Sequence, residues 1–505
     1  MLERAPKLIQ AINFVVRINS RDINFHTGGG RTQEGSRLDQ SSFDIVIVGG
    51  GPAGYALALA AGLKGKSVAL VEKDKVGGTC LHRGCIPAKE LLEASHLFKS
   101  TKNAGEFGVN IENVSLDFSR TQNRKQDIVD QLFKGLSGLL KSRKVEMFNG
   151  VGSLIQNREV LVNKSDGSSV SLLGNAVVLA MGSVPKSIPG FDIDGVNVLS
   201  SDEVLNLETV PKKVVVIGGG AIGCEFASMF NDFGSTVVLL EVAPTLLPGC
   251  DGDVSNYLSR SFKKQGIDAR TGVKIVGYSK TESGLRVTLE SGEYFDVDKI
   301  VVSVGRKPVT ETLDPSSTGI ILDSKGYVVV DEYMRTSAAG VWAIGDIVNT
   351  PQLAHIGFAE ALVALGDILG EKVMPIDYSK VPWCIYSHPE VAFSGLSEES
   401  AREKGIDVVV KKDPLIGNST AKIIGETDGV VKVIAKKGLD GKAGEIIGVH
   451  MVGPWVTEQL GAGYFAVNWG ATVDDVAQLI QPHPTLSESF GETVLSLAGK
   501  GIHLG

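Results

Sequence analysis

Residues 43–54 read Phe-Asp-Ile-Val-Ile-Val-Gly-Gly-Gly-Pro-Ala-Gly, and 213–223 repeat the theme as Lys-Val-Val-Val-Ile-Gly-Gly-Gly-Ala-Ile-Gly. Each stretch opens with a short continuous apolar run, the mark of a parallel strand buried on both faces. Each then enters a glycine cluster and an alanine- or phenylalanine-bearing helical segment. A second apolar run comes next, Ser67–Val71 in one copy and Thr236–Leu240 in the other, and ends in Glu72 or Glu241. The acidic residue lies 18 positions after the last glycine in both copies (72 − 54 and 241 − 223). A glycine-rich turn alone is weak evidence. Strand, glycines, helix and distal acid together form a dinucleotide-binding unit.

The physical roles are specific. Gly49 and Gly218 permit a tight turn, Gly51 and Gly220 let the backbone approach a pyrophosphate, and Gly54 and Gly223 allow close helix–strand packing. The helix N-terminus then offers unpaired N–H groups to phosphate. Glu72 and Glu241 would accept hydrogen bonds from ribose hydroxyls. At the second site a 2′-phosphate would meet the Glu241 carboxylate, and Val242-Ala243-Pro244 supplies no arginine, so NAD is expected over NADP. Two such sites in one chain predict two cofactors in relay, one of them a flavin. Gly340-Val-Trp-Ala-Ile-Gly-Asp346 fits this, because a strand ending in Gly-Asp lets the carboxylate reach a ribityl hydroxyl.

The rest of the chain sets bounds. Its 505 residues suggest several domains, and 43% apolar with 21% charged residues is a globular balance. The 61 glycines point to many tight turns and close backbone approaches. Net charge is 50 − 58 = −8, which argues against a nucleic-acid binder working through a basic surface. No apolar run reaches the roughly 18 residues of a membrane helix, so a soluble chain is expected. Residues 1–42 lack a core pattern and read as a flexible extension, with order expected from Phe43. Asn13 and Arg17 interrupt any secretory signal. An organellar transit peptide is the alternative to a plain cytoplasmic protein, since six basic residues face four acidic ones there. The tail beyond Pro382 reads as alternating strands and helices of a third unit.

Five cysteines are too few for a secreted disulfide scaffold, so any cysteine chemistry should be local. Cys80 and Cys85 stand in Gly77-Gly-Thr-Cys-Leu-His-Arg-Gly-Cys-Ile-Pro-Ala-Lys89. A CxxxxC spacing puts the sulfurs about one helical turn apart, near enough for a disulfide if the backbone loosens. The other readings are half a zinc site or two inert core thiols. Zinc would need two more ligands, and Cys224, Cys250 and Cys384 stand alone, so no metal is expected. A redox-active disulfide fits best. At the start of a helix, both thiols should have lowered pKa values from the dipole and from Arg83.

These motifs, with Gly305-Arg-Lys-Pro308, Ala343-Ile-Gly-Asp346 and His483-Pro-Thr-Leu-Ser-Glu488, resemble the pyridine nucleotide–disulfide oxidoreductases, and within them the branch that oxidises dihydrolipoamide. The likeness runs in order from residue 43 to the C-terminus. It implies an α/β fold with two Rossmann-like domains, FAD-binding (43–186 and 307–379) and NAD-binding (187–306), plus a C-terminal α+β dimerisation domain (380–505). By position Cys80 would exchange with substrate and Cys85 would face the flavin as a thiolate. Lys89 would sit beside the reactive flavin nitrogen, Gly152 by the adenine, Gly182 in the turn Ala180-Met-Gly-Ser183 that takes the place of the family's Ala-Thr-Gly, and Leu353-Ala354-His355 along the ribityl chain after Asp346. Ile222, Glu225, Ile275 and Gly305 resemble positions on the NAD side. His483 would be the base, with Glu488 orienting its ring, and would serve the cysteines of the other subunit, so the site requires a homodimer. An imidazole with an ordinary pKa near 6.5 suits removal of a thiol proton near neutral pH. The implied partners are lipoyl domains of a 2-oxo acid dehydrogenase acyltransferase or the glycine cleavage carrier protein.

The sequence departs from the family pattern at Met181, where threonine is usual, at Gln481, and at His82-Arg83 between the cysteines, which would tune the disulfide potential. Glutathione reductase would want basic residues at Glu241-Val242, mercuric reductase a further cysteine pair near the end, and a soluble transhydrogenase no cysteine pair. A non-catalytic NAD-binding assembly subunit is the reading from another class, and the cysteines, His483 and Glu488 speak against it.

Overall fold

The computed structural model describes residues 40–156, 158–282 and 284–503. The N-terminal extension, and the transit-peptide reading with it, falls on residues 1–39 and lies outside the described residues. Residues 40–42 already belong to the first strand, Gln40–Val48, three positions before the expected start.

That strand is central because both its faces are apolar. Ile45, Val46, Ile47 and Val48 are all buried, two toward each side. Parallel neighbours flank it, Val68–Glu72 on one side and Ser169–Leu179 on the other, with Glu146–Asn149 beyond the first. Ser169–Leu179 is long enough for two further partners. Its start pairs antiparallel with Glu159–Asn163, and its end pairs parallel with Val341–Ala343. That late strand brings Gly345-Asp346 back beside the first glycine loop. The helix Pro52–Leu63 then packs on Ala354–Ile368 through Ala53 and Gly357, where an added Cβ would stand 3.1 Å from the Ala53 methyl.

The second copy builds an all-parallel five-stranded sheet in the order Asp268–Arg270, Thr236–Leu240, Lys213–Ile217, Lys299–Val302, Val198–Leu199. A three-stranded antiparallel meander spans residues 275–297. The two copies are joined by a short antiparallel ribbon, Ser183–Pro185 against Arg306–Pro308. Beyond residue 380 a five-stranded antiparallel sheet carries the helices Val456–Trp469 and Glu488–Leu497. That arrangement is the expected α+β third unit. No helix among the described residues is long and apolar enough to cross a membrane.

One helix sets the geometry of the chemistry. Cys85–Lys102 starts where Gly84, at φ −150° and ψ −111°, breaks the preceding helix Gly78–Arg83. Pro87 is tolerated in the first turn, where an N–H has no intrahelical partner. The helix buries Ala88, Leu91, Leu92 and Ser95 against Ala221–Phe233, the helix of the second glycine loop. Burial of Leu91 alone is worth about 1.5–3 kcal/mol. The packing draws the cysteine segment of one copy onto the nucleotide helix of the other.

Candidate active site

Each glycine loop is held by its own distal acid. The Gly50 N–H donates to Glu72 Oε2 at 2.7 Å, and the Asp74 N–H donates to Oε1 at 2.9 Å. In the second copy the Gly219 N–H donates to Glu241 Oε2 at 2.5 Å and the Ala243 N–H to Oε1 at 2.7 Å. Expected as ribose acceptors, the two carboxylates also brace the loops they serve. Gly49 and Gly218 both sit at φ +106°, a conformation a side chain resists. A Cβ at Gly54 would collide with the Gly49 carbonyl oxygen, and one at Gly223 with that of Gly218.

A continuous cavity of about 1540 Å³ runs between the loops, larger than a single small-ligand pocket. Most of the expected residues line it: Gly49, Gly51, Glu72, Cys80, Cys85 and Lys89; Gly152, Gly182, Asp346, Leu353 and Ala354; and Gly218, Gly220, Ile222, Glu225, Glu241, Ile275 and Gly305. Gly54 and Gly223 lie behind the loops as packing positions. His355 does not line the cavity, because its Nε2 engages the Pro382 carbonyl at 2.9 Å. Sequence reasoning missed Gln352, which lines the cavity with its Nε2 buried and unpartnered, a donor suited to a cofactor oxygen. It also missed Glu360. This buried carboxylate, its pKa raised by burial, accepts from the Gly345 N–H (2.6 Å), Thr350 and Tyr378 and so fixes the turn that carries Asp346. Asp346 accepts from Ser183 Oγ at 2.6 Å, and the Arg306 Nε–H donates to the same oxygen of Ser183 at 2.7 Å. A loop with room for a pyrophosphate, a free amide donor and a fixed carboxylate beyond it together fit a flavin dinucleotide.

The two thiols lie midway along the cavity, both free and partly buried. The Cys80 thiol donates to Cys85, and this contact, with Lys89, lowers the Cys85 pKa to about 7 against the opposing pull of burial and Glu225. Cys85 also begins an 18-residue helix, whose N-terminal field favours a thiolate. The same hydrogen bond, then burial, pushes Cys80 far up. The expectation that both thiols would be lowered therefore holds for Cys85 alone. Arg83 is not the cause, since its guanidinium is committed to Asp74 at 3.1 Å and lies 4.0 Å from Asp202. Nor does His82 reach the thiols: its Nε2 bonds the Val76 carbonyl and its ring packs on Phe133.

Lys89 Nζ donates to both oxygens of Glu225 at 2.9 Å and lies 4.6 Å from the Tyr386 ring centre. Glu225, expected near the nicotinamide, is buried and thus links the cysteine helix to the second loop's helix. Far along the chain, His483 Nδ1 meets Glu488 Oε2 at 2.9 Å, the expected base–orienter contact. The His483 side chain is 69% exposed and does not line the cavity of its own chain.

Residues 43–361 match the family model described as pyridine nucleotide-disulphide oxidoreductase, and residues 381–494 match that family's dimerisation domain. A dihydrolipoyl dehydrogenase from Bacillus subtilis is 38% identical over 92% of this chain and 99% of its own length. A mitochondrial dihydrolipoyl dehydrogenase from Pisum sativum is 37% identical over 91% and 92%. Among solved structures, LpdA from Mycobacterium tuberculosis superposes with a TM-score of 0.84 at 26% identity, covering 90% of this chain and 99% of that one.

Proposed function

Because the chain belongs to the pyridine nucleotide–disulphide oxidoreductases, we propose that it oxidises dihydrolipoamide to lipoamide and reduces NAD⁺, the reaction of a dihydrolipoyl dehydrogenase. The observation that carries this reading is the Cys80–Cys85 pair between two acid-braced glycine loops, with one thiol lowered and the other raised. FAD is held by the first loop with Glu72, Lys89, Gly152, Gly182, Asp346, Leu353 and Ala354, and NAD by the second with Ile222, Glu225, Glu241, Ile275 and Gly305. When bound, FAD supplies a two-electron relay between the thiols and NAD.

The protein's own groups do the rest. His483, steadied by Glu488, takes a thiol proton from dihydrolipoamide, and the resulting thiolate attacks Cys80 of the Cys80–Cys85 disulfide. Cys85 leaves as the thiolate, which its lowered pKa favours. The second substrate thiol, deprotonated in turn, displaces Cys80 and closes the cyclic disulfide. Two thiols have become one disulfide, and the electron pair rests on Cys80 and Cys85. The exposed His483, remote from its own chain's cavity, is proposed to serve the cysteines of the second subunit in a homodimer, in line with the matched dimerisation domain. Lipoyl domains are the proposed substrate carriers and the cytoplasm the proposed compartment.

The test is NAD⁺ reduction by the purified flavoprotein with dihydrolipoamide, run beside NADP⁺ and beside oxidised glutathione with each reduced nucleotide. Rapid NAD-selective turnover is expected, and His483→Gln should cost about 10²–10⁴ of it. A yellow protein indifferent to dihydrolipoamide would overturn the substrate assignment and leave another disulfide as its substrate.

A further inference from the structure

Outside the cavity the chain gathers one group with the donor chemistry of a metal site. His96 lies on the helix Cys85–Lys102, His388 between the strands Trp383–Ile385 and Glu390–Gly395, and Glu426 just past the helix Ser419–Ile423. One ligand atom from each lies within 4.8 Å of the others. The imidazoles stand 4.6 Å apart at 37°, and His96 Nε2 is 4.0 Å from Glu426 Oε1. All three residues are half-buried, and the buried Nδ1 of His96 has no hydrogen-bond partner. Main-chain bonds hold the neighbouring turn: the His388 N–H donates to Ser228 Oγ at 2.8 Å, and Gln265 Nε2 donates to the His388 carbonyl at 2.9 Å. The local charge suits a cation. Lys99 pairs with Asp232 at 2.6 Å, and the half-buried Glu426 carboxylate faces His96 and Lys99 as its favourable charges, with burial raising its pKa.

We propose that His96, His388 and Glu426 form a binding site for a divalent transition ion of the zinc class, clamping the cysteine-bearing helix to the C-terminal sheet. Two imidazoles and one carboxylate leave a fourth position for water, the ligand set of an open tetrahedral zinc site. Bonds of about 2.0–2.1 Å require donor separations near 3.4 Å, so the donors close by up to about 1.4 Å from separations of as much as 4.8 Å, through ring and carboxylate rotation. The site is separate from the redox centre, because His96 lies eleven residues beyond Cys85, about 16 Å along the helix. Its ligands come from three segments more than 300 residues apart at their extremes, which is why no sequence motif announces it.

The test uses the whole flavoprotein with Cys80 and Cys85 oxidised, so that the thiols are withdrawn as ligands. Titration with Zn²⁺ alone, monitored by calorimetry, should saturate at one ion per subunit and raise the thermal midpoint. His96→Gln and Glu426→Gln should each weaken binding by about tenfold or more while keeping dihydrolipoamide turnover. Co²⁺ in place of Zn²⁺ should give visible d–d bands without thiolate charge transfer. Absence of saturable uptake would overturn the proposal. So would uptake undiminished in both variants, or a cobalt–thiolate signature. His388→Gln adds a third arm, and the other two variants keep the test decisive if it fails to fold.

Discussion

The two glycine loops are close copies whose downstream segments diverge. Both turn at φ +106°, both tie their second glycine N–H to the acid ending the next strand, and both accept at that glycine's carbonyl a later N–H at 2.8 Å, from Gly77 or from Leu247. Beyond those contacts they part. After Gly77 the first copy opens into the cysteine helices, where Cys85 titrates near pH 7. After Leu247 the second makes a turn at Gly249, and burial pushes the adjacent Cys250 up to about 12. The first loop is also walled from behind, since Gly345 and Gly357 both approach Ala53, whereas Val242 beside the second loop's acid is 68% exposed. The repeat provides two identical phosphate cradles. The later segments set the first cradle beside the thiols and wall it from behind, and leave the second more open.

The harshest way to break that contrast is to fill the tightest glycine in each copy. An added methyl at Gly54 or Gly223 collides with a carbonyl oxygen of its own loop. Gly54→Ala should yield protein without flavin, or none that folds. Gly223→Ala should purify yellow and lose NAD reduction by about 10²-fold or more, the loss expected from misplacing a bound reactant by about 1 Å. Loss of colour in both would mean that the copies are held alike.

A gentler probe replaces the acids. Gln at 241 still accepts one N–H through its amide oxygen but cannot accept the second, from Ala243, and carries no charge against a 2′-phosphate. The KM for NAD should rise about tenfold, and selectivity against NADP should fall by a similar factor, the scale of one lost charged hydrogen bond. Glu72→Gln removes the same contacts from the walled loop and should leave the flavin in place through gel filtration. Bleaching of Glu72→Gln would show that the wall contributes nothing.

Much of this was legible in the chain. Fold class, both loops, the thiol pair and the His483–Glu488 contact arise from local patterns, because each depends on residues within about 30 positions. The illegible part depends on which side chains the fold turns toward one another, near or far along the chain. Glu360 acts on Gly345, Lys89 meets Glu225 across 136 residues, and Arg83 turns to Asp74 instead of the thiols. A further repeat also went unread. Ala180-Met-Gly-Ser-Val-Pro185 and Ser303-Val-Gly-Arg-Lys-Pro308 are the same turn, with Ala180 backing Gly49 and Ser303 backing Gly218, and their ends pair as the ribbon joining the copies. The shared x-Gly-x-x-Pro was the available signal.

The seam between the copies tests the electrostatics. Lys89 favours the Cys85 thiolate and Glu225 opposes it. The thiolate, populated above about pH 7, is lost as pH falls through that value. In the two-electron-reduced protein the long-wavelength thiolate–flavin absorbance should titrate with it. Lys89→Met should move that midpoint up by about one unit, and Glu225→Gln should move it down by less, since the freed lysine then acts unopposed. An unmoved midpoint in Lys89→Met would assign the lowering to Cys80 and the helix terminus.

The smallest expected effect comes from making one turn copy the other. Met181 stands where the second turn has Val304, and both side chains line the cavity. Met181 is partly buried against the core that includes Val48 and Val71, so its packing is apolar and adaptable. Met181→Val removes volume without adding a polar group and should cost less than about 1.5 kcal/mol, read as a lowering of the thermal midpoint. Because the neighbouring backbone at Ala180 and Gly182 is unchanged, flavin content and the KM for NAD should both stay at their starting values. If flavin is lost instead, the Met181 side chain is itself part of the flavin seat. The two turns would then be equivalent in backbone only, and the asymmetry between the cradles would reach beyond the cysteine segment to the turn after Ser169–Leu179.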